Sequence, residues 1–483
     1  MLDKTFLAEL ERIVGHDGIV RDAAELLTYE SDALTRLRAR AAVAVLPDTA
    51  AKVQQVVRLC HGAEVPFVAR GHGTGLSGGA LPVADGVLIV LTRLNKILAV
   101  DIANQRITVE PGVMNLDVSR EVAPFGYYYA PDPSSQVICS IGGNVAENSG
   151  GAHCLKYGFT VHHVLALEAV LPDGELIHVG GSAHDAPGLD LLGVMVGSEG
   201  TLAVVTKVTL RLLRQPEAVQ TLLAAFDSSE AAGNAVSDII AAGIVPAAVE
   251  MMDRLTIEAV EAAVHPHFPT ADAVLIVELD GPKPEVAELF RLVEKVCQHR
   301  GARDIQVARD AGERERIWKG RKAAFAAMGR VSPNYYVQDG VIPRTKLPGV
   351  LRRIRALEIE SGLKIGNVFH AGDGNLHPLV CYDERIEGQA ELAEQVADEI
   401  LTYCLDAGGS ITGEHGVGVD KACHMPKMFS ADDLDTMQFV RRAFDPTNLC
   451  NPGKVFPTPR LCGEVPGPYR RHPVEEAGLA ERM

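Results

Sequence analysis

The sequence has few aromatic residues and no closely spaced pair of cysteines. Aromatic residues make up 5% of the 483 residues, and the nine cysteines are scattered without any C-x-x-C pair. An odd number of scattered cysteines favours reduced thiols over a disulfide framework. The same absence excludes an iron–sulfur cluster that this chain holds by itself.

The sequence also shows no net positive charge, no apolar run long enough to span a membrane and no signal-peptide core. The net charge is −17 without a basic cluster, which argues against nucleic acid as a partner. No apolar run approaches the roughly 20 residues that cross a bilayer, and residues 1–10 mix charged with apolar positions. We therefore expect a cytoplasmic protein without a transmembrane segment, peripheral on the inner membrane where partner subunits attach it.

The remaining composition is that of a large, ordered, globular chain. Hydrophobic residues make up 47% and charged residues 23%, and no low-complexity tract interrupts them. The length predicts about three domains or lobes. Residues 1–40 are predicted to be helical. From Val43 onward a strand, a helix and a second strand ending at Ala69 predict a β-α-β unit.

A glycine-rich loop follows this unit directly. Five glycines fall within the nine residues 71–79, and Thr74 and Ser77 add hydroxyl groups. Glycines allow several backbone N–H groups to converge on one anion, so the loop predicts a phosphate site. A mobile surface loop has a similar composition, and this stretch alone leaves both interpretations open.

The same loop matches the G-x-G-x-x-G fingerprint of nicotinamide dinucleotide sites at residues 73–78. That motif requires a helix to begin at the loop. Pro82 and Gly86 occupy the positions where the helix should run, and residues 87–91 are predicted to form a strand. An NAD-dependent dehydrogenase is therefore disfavoured. A P-loop is excluded as well, because no Gly-Lys-Ser/Thr follows.

Two further glycine clusters lie downstream, at residues 140–151 and 197–200. Both lie between short predicted strands. One large, extended, anionic cofactor explains all three clusters together.

The order of the motifs resembles one family of flavoproteins. The motifs are Arg70–Gly79, Pro131-Asp-Pro133, Gly142-Gly-Asn144, Gly197-Ser-Glu-Gly200, the segment 366–377, Gly413-Glu-His-Gly416 and Asn451-Pro-Gly-Lys454. This order is similar to that of FAD-linked oxidases of the vanillyl-alcohol oxidase type, most of all the branch that contains the catalytic chain of glycolate oxidase and D-lactate dehydrogenase. The resemblance covers residues 40–458.

The resemblance implies an α+β fold. We expect a two-subdomain FAD-binding domain of the vanillyl-alcohol oxidase type at residues 1–215 and an α+β cap or substrate domain with a metal site at 216–425. A C-terminal helical segment at 426–458 is expected to return to the FAD-binding domain, followed by a tail at 459–483.

The resemblance also implies FAD as the cofactor. The positions expected to bind it are Arg70, Gly71, His72, Gly73, Thr74, Gly75, Leu76, Ser77, Gly78, Pro131, Asp132, Ser134, Gly142, Gly143, Asn144, Asn148, Gly151, Glu199, Gly200, Val205 and Asn451. Relatives that bind flavin covalently carry a histidine four residues after the arginine of the first loop. This chain has Thr74 at that position, so non-covalent FAD is expected.

A histidine pair and a Glu-His pair lie in the second half of the chain. His370 and His377 are separated by six residues, and Glu414 and His415 lie in a glycine-flanked turn. Such a histidine pair is more often structural, but imidazoles and a carboxylate on tight turns suit a divalent cation. The resemblance implies zinc or manganese at His370, His377 and Glu414. We predict His415 as the catalytic base, with orientation of a metal ligand as its alternative role.

The implied reaction is oxidation of a small 2-hydroxy acid, with hydride transfer from C2 to flavin N5. A guanidinium suits the substrate carboxylate, and Arg321 is the first candidate and Arg344 the second. Hydroxyglutarate-oxidising relatives tend to carry Asn and Lys where this chain has Leu379 and Val337. Glycolate or D-lactate is therefore the expected substrate.

The expected setting is a glycolate oxidase complex in which this chain is the catalytic subunit. A second flavin subunit and an iron–sulfur subunit would then pass electrons to a quinone or another acceptor. A stand-alone D-lactate or other D-2-hydroxy acid dehydrogenase is one alternative. A non-catalytic flavin subunit with an assembly role is the other, and the presence of the histidines and Glu414 argues against it.

Overall fold

Three main β-sheets organise the chain. The computed structural model describes residues 2–181 and 188–457, so the tail expected at 459–483 lies outside the described residues. Two smaller sheets lie in the N-terminal part of the chain, up to residue 214, and an eight-stranded sheet lies in the large-sheet part, residues 218–428.

The first sheet contains the predicted β-α-β unit. Its strands, in spatial order, are Ile19–Val20, Val43–Val45, Val87–Val90 and Phe67–Arg70. The last three are parallel, and helix Ala50–Gly62 connects two of them. The apolar positions that predicted this helix, such as Val53 and Val57, are fully buried on one of its faces. The glycine loop begins at the end of Phe67–Arg70.

The other two sheets are antiparallel. The five-stranded sheet has the order Ile97–Asp101, Arg106–Val109, Val204–Arg211, Val164–Val170 and Leu176–Gly180. The order in the eight-stranded sheet is Asp304–Val307, Ala218–Phe226, Ala273–Gly281, Ala248–Asp253, Ile365–His370, Asn375–Tyr382 and Asn334–Val337, with Gly340–Val341 beside Asn375–Tyr382. Tyr127–Tyr128 and Leu213–Arg214 form a small separate ladder.

Helices cover both faces of the eight-stranded sheet. One face packs against Ser229–Ala241, Lys283–His299, Leu347–Ser361 and Gln389–Asp406. The other face packs against Arg254–Val264 and Ala311–Ala327. The remaining helices are Lys4–Val14, Ala23–Leu26, Asn115–Val122, Ile141–Glu147, Cys154–Tyr157, Leu191–Met195, Met425–Met428 and Ala431–Phe444. Among residues 2–181 and 188–457, none of the helices combines the length and apolarity that crossing a bilayer requires.

After helix Ala431–Phe444 the chain returns to the first sheet. The N–H of Phe67 donates to the carbonyl of Leu449 at 2.9 Å, and the N–H of Asn451 donates to the carbonyl of Phe67 at 2.8 Å. The last described residues therefore lie beside the strand that leads into the glycine loop.

Two local expectations were wrong. Residues 1–40 are not helical throughout, because regular α-helix is confined to Lys4–Val14 and Ala23–Leu26. His370 and His377 lie on two paired strands, with the tight turn between them. In the second glycine cluster, Gly142 and Gly143 lie in the first turn of helix Ile141–Glu147, and Ser140 caps this helix by accepting the N–H of Gly143.

Candidate active site

A cleft of about 660 Å³ lies between the N-terminal part and the large-sheet part. Predicted FAD positions that line it are Arg70, Gly71, His72, Gly73, Thr74, Gly75, Leu76, Ser134, Gly142, Gly143, Asn144, Glu199, Gly200 and Val205. From the large-sheet part, Lys322, Phe325, Ala326, Tyr335, Glu414 and His415 line it. A ligand that fills the cleft therefore contacts both the glycine loop and His415.

The glycine loop presents free backbone donors to this cleft. From His72 to Ser77, no backbone N–H donates a hydrogen bond to any residue that the structure describes. The N–H of Gly142, by contrast, donates to the carbonyl of Pro111 at 2.7 Å. An anion such as a pyrophosphate therefore finds its donors in the first loop, and the second cluster supplies close packing.

The two glycine segments touch each other without room for side chains. A Cβ at Gly71 would clash with the Ser140 hydroxyl, and a Cβ at Gly142 would lie 2.6 Å from the Pro111 Cβ. Gly73 and Gly78 have φ angles of +70° and +75°, which disfavour other residues. These residues fit an extended dinucleotide cofactor, because bare backbone lines the cleft over the length of both segments.

Seven other predicted FAD positions do not line the cleft: Ser77, Gly78, Pro131, Asp132, Asn148, Gly151 and Asn451. Two of them make contacts that fix neighbouring residues. The Asn451 side-chain amide donates to the carbonyls of Gly79 at 3.0 Å and Glu199 at 2.6 Å. The N–H of Gly78 donates to the Asp32 carboxylate at 2.8 Å.

Asp132 takes part in a contact between the two parts of the chain. Its carboxylate lies 2.8 Å from Nδ1 of His153, whose Nε2 lies 3.2 Å from the Glu278 carboxylate on the eight-stranded sheet. Burial opposes protonation of His153, but Asp132 and Glu278 raise its pKa to about 10. Trp318 stacks on the same imidazole at 5.6 Å.

His370, His377 and Glu414 meet at one point. Strand pairing places His377 opposite Val368 and therefore on the same sheet face as His370. Oε1 of Glu414 lies 3.1 Å from Nε2 of His370 and 3.0 Å from Nε2 of His377. All three side chains are buried, so the predicted metal ligands are brought together.

The donor set of this cluster fits a divalent cation. Nδ1 of His370 faces the Glu250 carboxylate at 2.9 Å, and Nδ1 of His377 faces the carbonyl of Gln338 at 3.2 Å. Nδ1 of each ring donates to its acceptor, so Nε2 of each ring is directed at Oε1 of Glu414. A cation at this point would take the place of a proton on Nε2 and be bound by both rings and the carboxylate.

The charges around the cluster are strongly coupled. Burial opposes the charge on His370, but Glu250 and Glu414 raise its pKa well above the ordinary value. Burial likewise raises the pKa of Glu414, yet His370 and His377 hold it well below the ordinary value. The site therefore favours an ionised carboxylate among positive groups, which is the balance that a bound cation also satisfies.

Arg321 lies beneath the cleft wall and is already paired. Its guanidinium donates to the Glu250 carboxylate at 2.7 Å, and the residue is 2% exposed. Arg314 and Trp318 share its helix face and both donate to Glu278 at 2.7 Å. One face of helix Ala311–Ala327 is thus bound to the carboxylates of the sheet.

Arg344 and Lys322 occupy different surroundings. The Arg344 guanidinium donates to the carbonyl of Gly372 at 3.1 Å, in the turn after His370, and does not line the cleft. Lys322 follows Arg321 in the helix but projects to the next face, where it lines the cleft beside Phe325 and Ala326. Sequence reasoning missed Lys322, because a lysine next to an arginine on a charged helix carries no signal of its own.

His415 lines the cleft next to the histidine cluster. Its ring stacks on that of His377, and its Nε2 lies 3.9 Å from Oε1 of Glu414. Burial lowers its pKa to about 4, so the ring is neutral at pH 7. Within the part of the chain that the structure describes, neither ring nitrogen makes a hydrogen bond, which leaves one free to accept a proton.

Comparisons with known proteins agree with this geometry. The family model described as FAD binding domain matches residues 41–180, and the model described as FAD linked oxidases, C-terminal domain, matches residues 215–455. The chain therefore belongs to the FAD-linked oxidases.

Individual relatives cover nearly the whole chain. Glycolate oxidase subunit GlcD of Escherichia coli K12 is 48% identical over 98% of this chain and 95% of its own length. D-lactate dehydrogenase of Anaerostipes hadrus is 32% identical over 86% of this chain and 90% of its own length. The crystal structure of p-cresol methylhydroxylase covers 95% of this chain and 98% of its own length with a TM-score of 0.79 at 17% identity. The predicted FAD-binding fold of the vanillyl-alcohol oxidase type is confirmed.

Proposed function

We propose that this chain catalyses FAD-dependent oxidation of a small 2-hydroxy acid, glycolate or D-lactate, to the 2-oxo acid. The observation that carries the proposal is the single cleft that joins the glycine loop to Glu414 and His415. The similarity to the glycolate oxidase subunit of Escherichia coli supports glycolate, and the similarity to D-lactate dehydrogenase supports the wider class.

The glycine loop and the histidine cluster have different tasks in the cleft. FAD, when bound, supplies the hydride acceptor, and a zinc or manganese ion at His370, His377 and Glu414 supplies a Lewis acid for the substrate oxygens. The loop from His72 to Ser77 binds phosphate oxygens through its free N–H groups. Thr74 stands at the position of covalent attachment in some relatives, so the cofactor is held without a covalent bond.

His415 accepts the proton of the substrate hydroxyl. Its ring lines the cleft, carries a free nitrogen and lies beside Glu414. His377, which is buried, stacks on this ring and also contacts the half-buried ring of Phe325. His415 is therefore the nearby group that can accept the hydroxyl proton, because the cation site does not use it.

The substrate carboxylate requires a cation of the protein. Arg321 and Arg344 remain the predicted partners, and Arg321 must then interact with the substrate while it holds Glu250. Lys322 lines the cleft, and its ammonium is compared with the two arginines as a partner of the substrate carboxylate. Leu379 and Val337 leave a long second carboxylate without the polar partners that hydroxyglutarate-oxidising relatives carry, which favours a small monocarboxylate.

Electrons must leave the reduced cofactor through another protein or a small acceptor. No disulfide joins any of the described cysteines, and the sequence contains no C-x-x-C pair. The proposed partners are a second flavin subunit and an iron–sulfur subunit that together pass electrons to a quinone, with the chain in the cytoplasm at the inner membrane. The purified chain should therefore reduce its FAD with substrate but react slowly with oxygen.

Anaerobic titration tests the proposal. Glycolate, D-lactate, L-lactate and D-2-hydroxyglutarate are added separately to the purified holoenzyme, and bleaching of the visible flavin absorbance is followed. Glycolate or D-lactate should bleach it fastest. A yellow protein that no hydroxy acid bleaches would instead support the non-catalytic flavin subunit. Preference for D-lactate over glycolate would support the stand-alone dehydrogenase.

A further inference from the structure

The segment Thr412–Gly418 carries both Glu414 and His415 but belongs to no helix or strand. Regular hydrogen bonding therefore does not fix the two side chains that reach the cleft. Other contacts must determine where this segment lies. Two buried carboxylates provide them.

Asp339 binds the first half of the segment. Its Oδ2 accepts the hydroxyl of Thr412 at 2.6 Å and the N–H groups of Gly413 and His415, both at 2.9 Å. The N–H of Glu414 lies 3.2 Å from the same carboxylate. Four donors from consecutive residues thus converge on one side chain that is fully buried.

Lys421 completes this anchor. Its Nζ lies 3.3 Å from Oδ2 of Asp339 and 3.3 Å from the carbonyl of Gly416. The side chain is 1% exposed, and an ammonium so deeply buried requires a charged partner. Lys421 therefore connects Gly416 to Asp339, which also binds residues 412–415.

Glu199 binds the second half of the segment from the N-terminal part of the chain. Its two carboxylate oxygens accept the N–H groups of Val417 and Gly418, each at 2.6 Å. The Asn451 amide fixes the backbone of Glu199. Gly416, at φ +81°, has no room for a Cβ because Glu147 and Glu199 lie directly against it.

We infer that Asp339, with Lys421, and Glu199 are positioning residues that hold segment 412–418 so that Glu414 meets His370 and His377 and His415 faces the cleft. Asp339 fixes the segment within the large-sheet part. Glu199 fixes it to the wall that also contains the predicted FAD positions. The role in catalysis rests on the proposed function; the role in placing Glu414 does not.

Asp339→Asn and Glu199→Gln test the inference in the holoenzyme, because each keeps the size of the side chain and replaces an acceptor oxygen by an amide donor. Asp253→Asn is the matched control. Asp253 is a half-buried carboxylate that also accepts backbone N–H groups, from Thr256 and Asn367 at 2.9 Å each, but it lies outside the cleft. Each variant thus changes a carboxylate that accepts at least two backbone N–H groups.

Three measurements are made: amide hydrogen exchange of residues 412–418, affinity for Mn²⁺ alone, and the anaerobic rate of flavin reduction by glycolate per bound FAD. In D339N and E199Q, exchange should accelerate, Mn²⁺ affinity should fall at least about tenfold, and reduction should slow at least about tenfold. D253N should lower the melting temperature and change none of the three.

Two results overturn the inference. One is unchanged exchange of residues 412–418 in both variants. The other is faster exchange with parental Mn²⁺ affinity and parental reduction rate, which would make the contacts merely stabilising. If glycolate and the other hydroxy acids fail to reduce even the parental flavin, the proposed function fails, and the exchange and Mn²⁺ measurements still decide the inference.

Discussion

The imidazole of His415 stacks on the imidazole of His377, with ring centroids 4.8 Å apart and ring planes 17° apart. His377 itself is held by Glu414 and by the carbonyl of Gln338. The stack therefore orients the predicted base without using either of its nitrogens. The contribution of the stacked ring at position 415 and the contribution of its nitrogen can therefore be tested with separate variants.

His415→Phe should keep the stacking surface and remove the proton acceptor. We expect flavin reduction by substrate to slow by about 10²–10⁴-fold, the usual contribution of a general base, while FAD and Mn²⁺ binding stay near parental values. Stopped-flow spectroscopy under anaerobic conditions measures the rate. His415→Ala removes ring and nitrogen together and serves for comparison. A parental rate in His415→Phe would contradict the assignment of the base.

Removal of the cation should abolish activity reversibly. The cluster places the Nε2 atoms of two histidines about 3 Å from one carboxylate oxygen, so dialysis against a chelator should stop flavin reduction and Zn²⁺ or Mn²⁺ should restore it. His377→Ala should bind either ion at least about tenfold more weakly. His424→Ala is the control, because His424 is equally buried but pairs with Asp398 elsewhere. Full activity in a metal-free preparation would contradict the site.

The histidine cluster shows what sequence could predict about the site. His370, His377 and Glu414 lie in short glycine-rich motifs, and these motifs identified all three residues that the structure brings together. Glu250 and Asp339 were missed. Each is one carboxylate in an otherwise ordinary segment, and only the pairing of distant strands brings Glu250 next to His370.

Arginine variants test the predicted carboxylate partner. Loss of a charge-assisted hydrogen bond is worth about 1.5–3 kcal/mol, so Arg321→Met should raise the KM for glycolate by about 10–100-fold. Because this change also leaves Glu250 unpaired, the double variant Arg321→Met/Glu250→Gln separates the two effects. Arg344→Met and Lys322→Met are measured in parallel by steady-state kinetics. A rise in KM confined to the Lys322 variant would contradict both arginine predictions.

The glycine loop was predictable because its composition reflects a backbone requirement. In the structure, Gly73 and Gly78 have positive φ angles, and the N–H groups from His72 to Ser77 are free. Both observations agree with the high glycine content that predicted the loop. The second cluster has a different physical cause. Position 142 requires a glycine because Pro111 packs against it at the start of a helix, so this glycine reflects close packing.

Gly71→Ala should weaken FAD binding, because its Cβ would clash with the Ser140 hydroxyl. Removal of that hydroxyl in Gly71→Ala/Ser140→Ala leaves the Ser140 Cβ at 3.4 Å as the nearest atom, so FAD binding should recover in part. Ser140→Ala alone costs about 1 kcal/mol of helix capping. Gly62→Ala is the control, since no atom lies within 4 Å of its Cβ. FAD retained per chain after gel filtration measures the effect. Equal retention in the single and double variants would contradict the steric explanation.

His153 should make stability depend on pH, because it joins Asp132 to Glu278 across the two parts of the chain. Its pKa in the folded protein is about 10, above the unfolded value of 6.5. The folded state therefore binds the extra proton between these values, so the stabilisation is complete below pH 6.5 and is lost as pH rises towards 10.

His153→Gln should lower the free energy of unfolding by about 2 kcal/mol at about pH 6, and the difference from the parent should shrink steadily as the pH rises towards the folded pKa. His178→Gln is the control, because the His178 side chain is 68% exposed in its pair with Glu168 and contributes little. Thermal melts at several pH values measure both variants, and a parent-to-variant difference that grows with pH would contradict the charged state of His153.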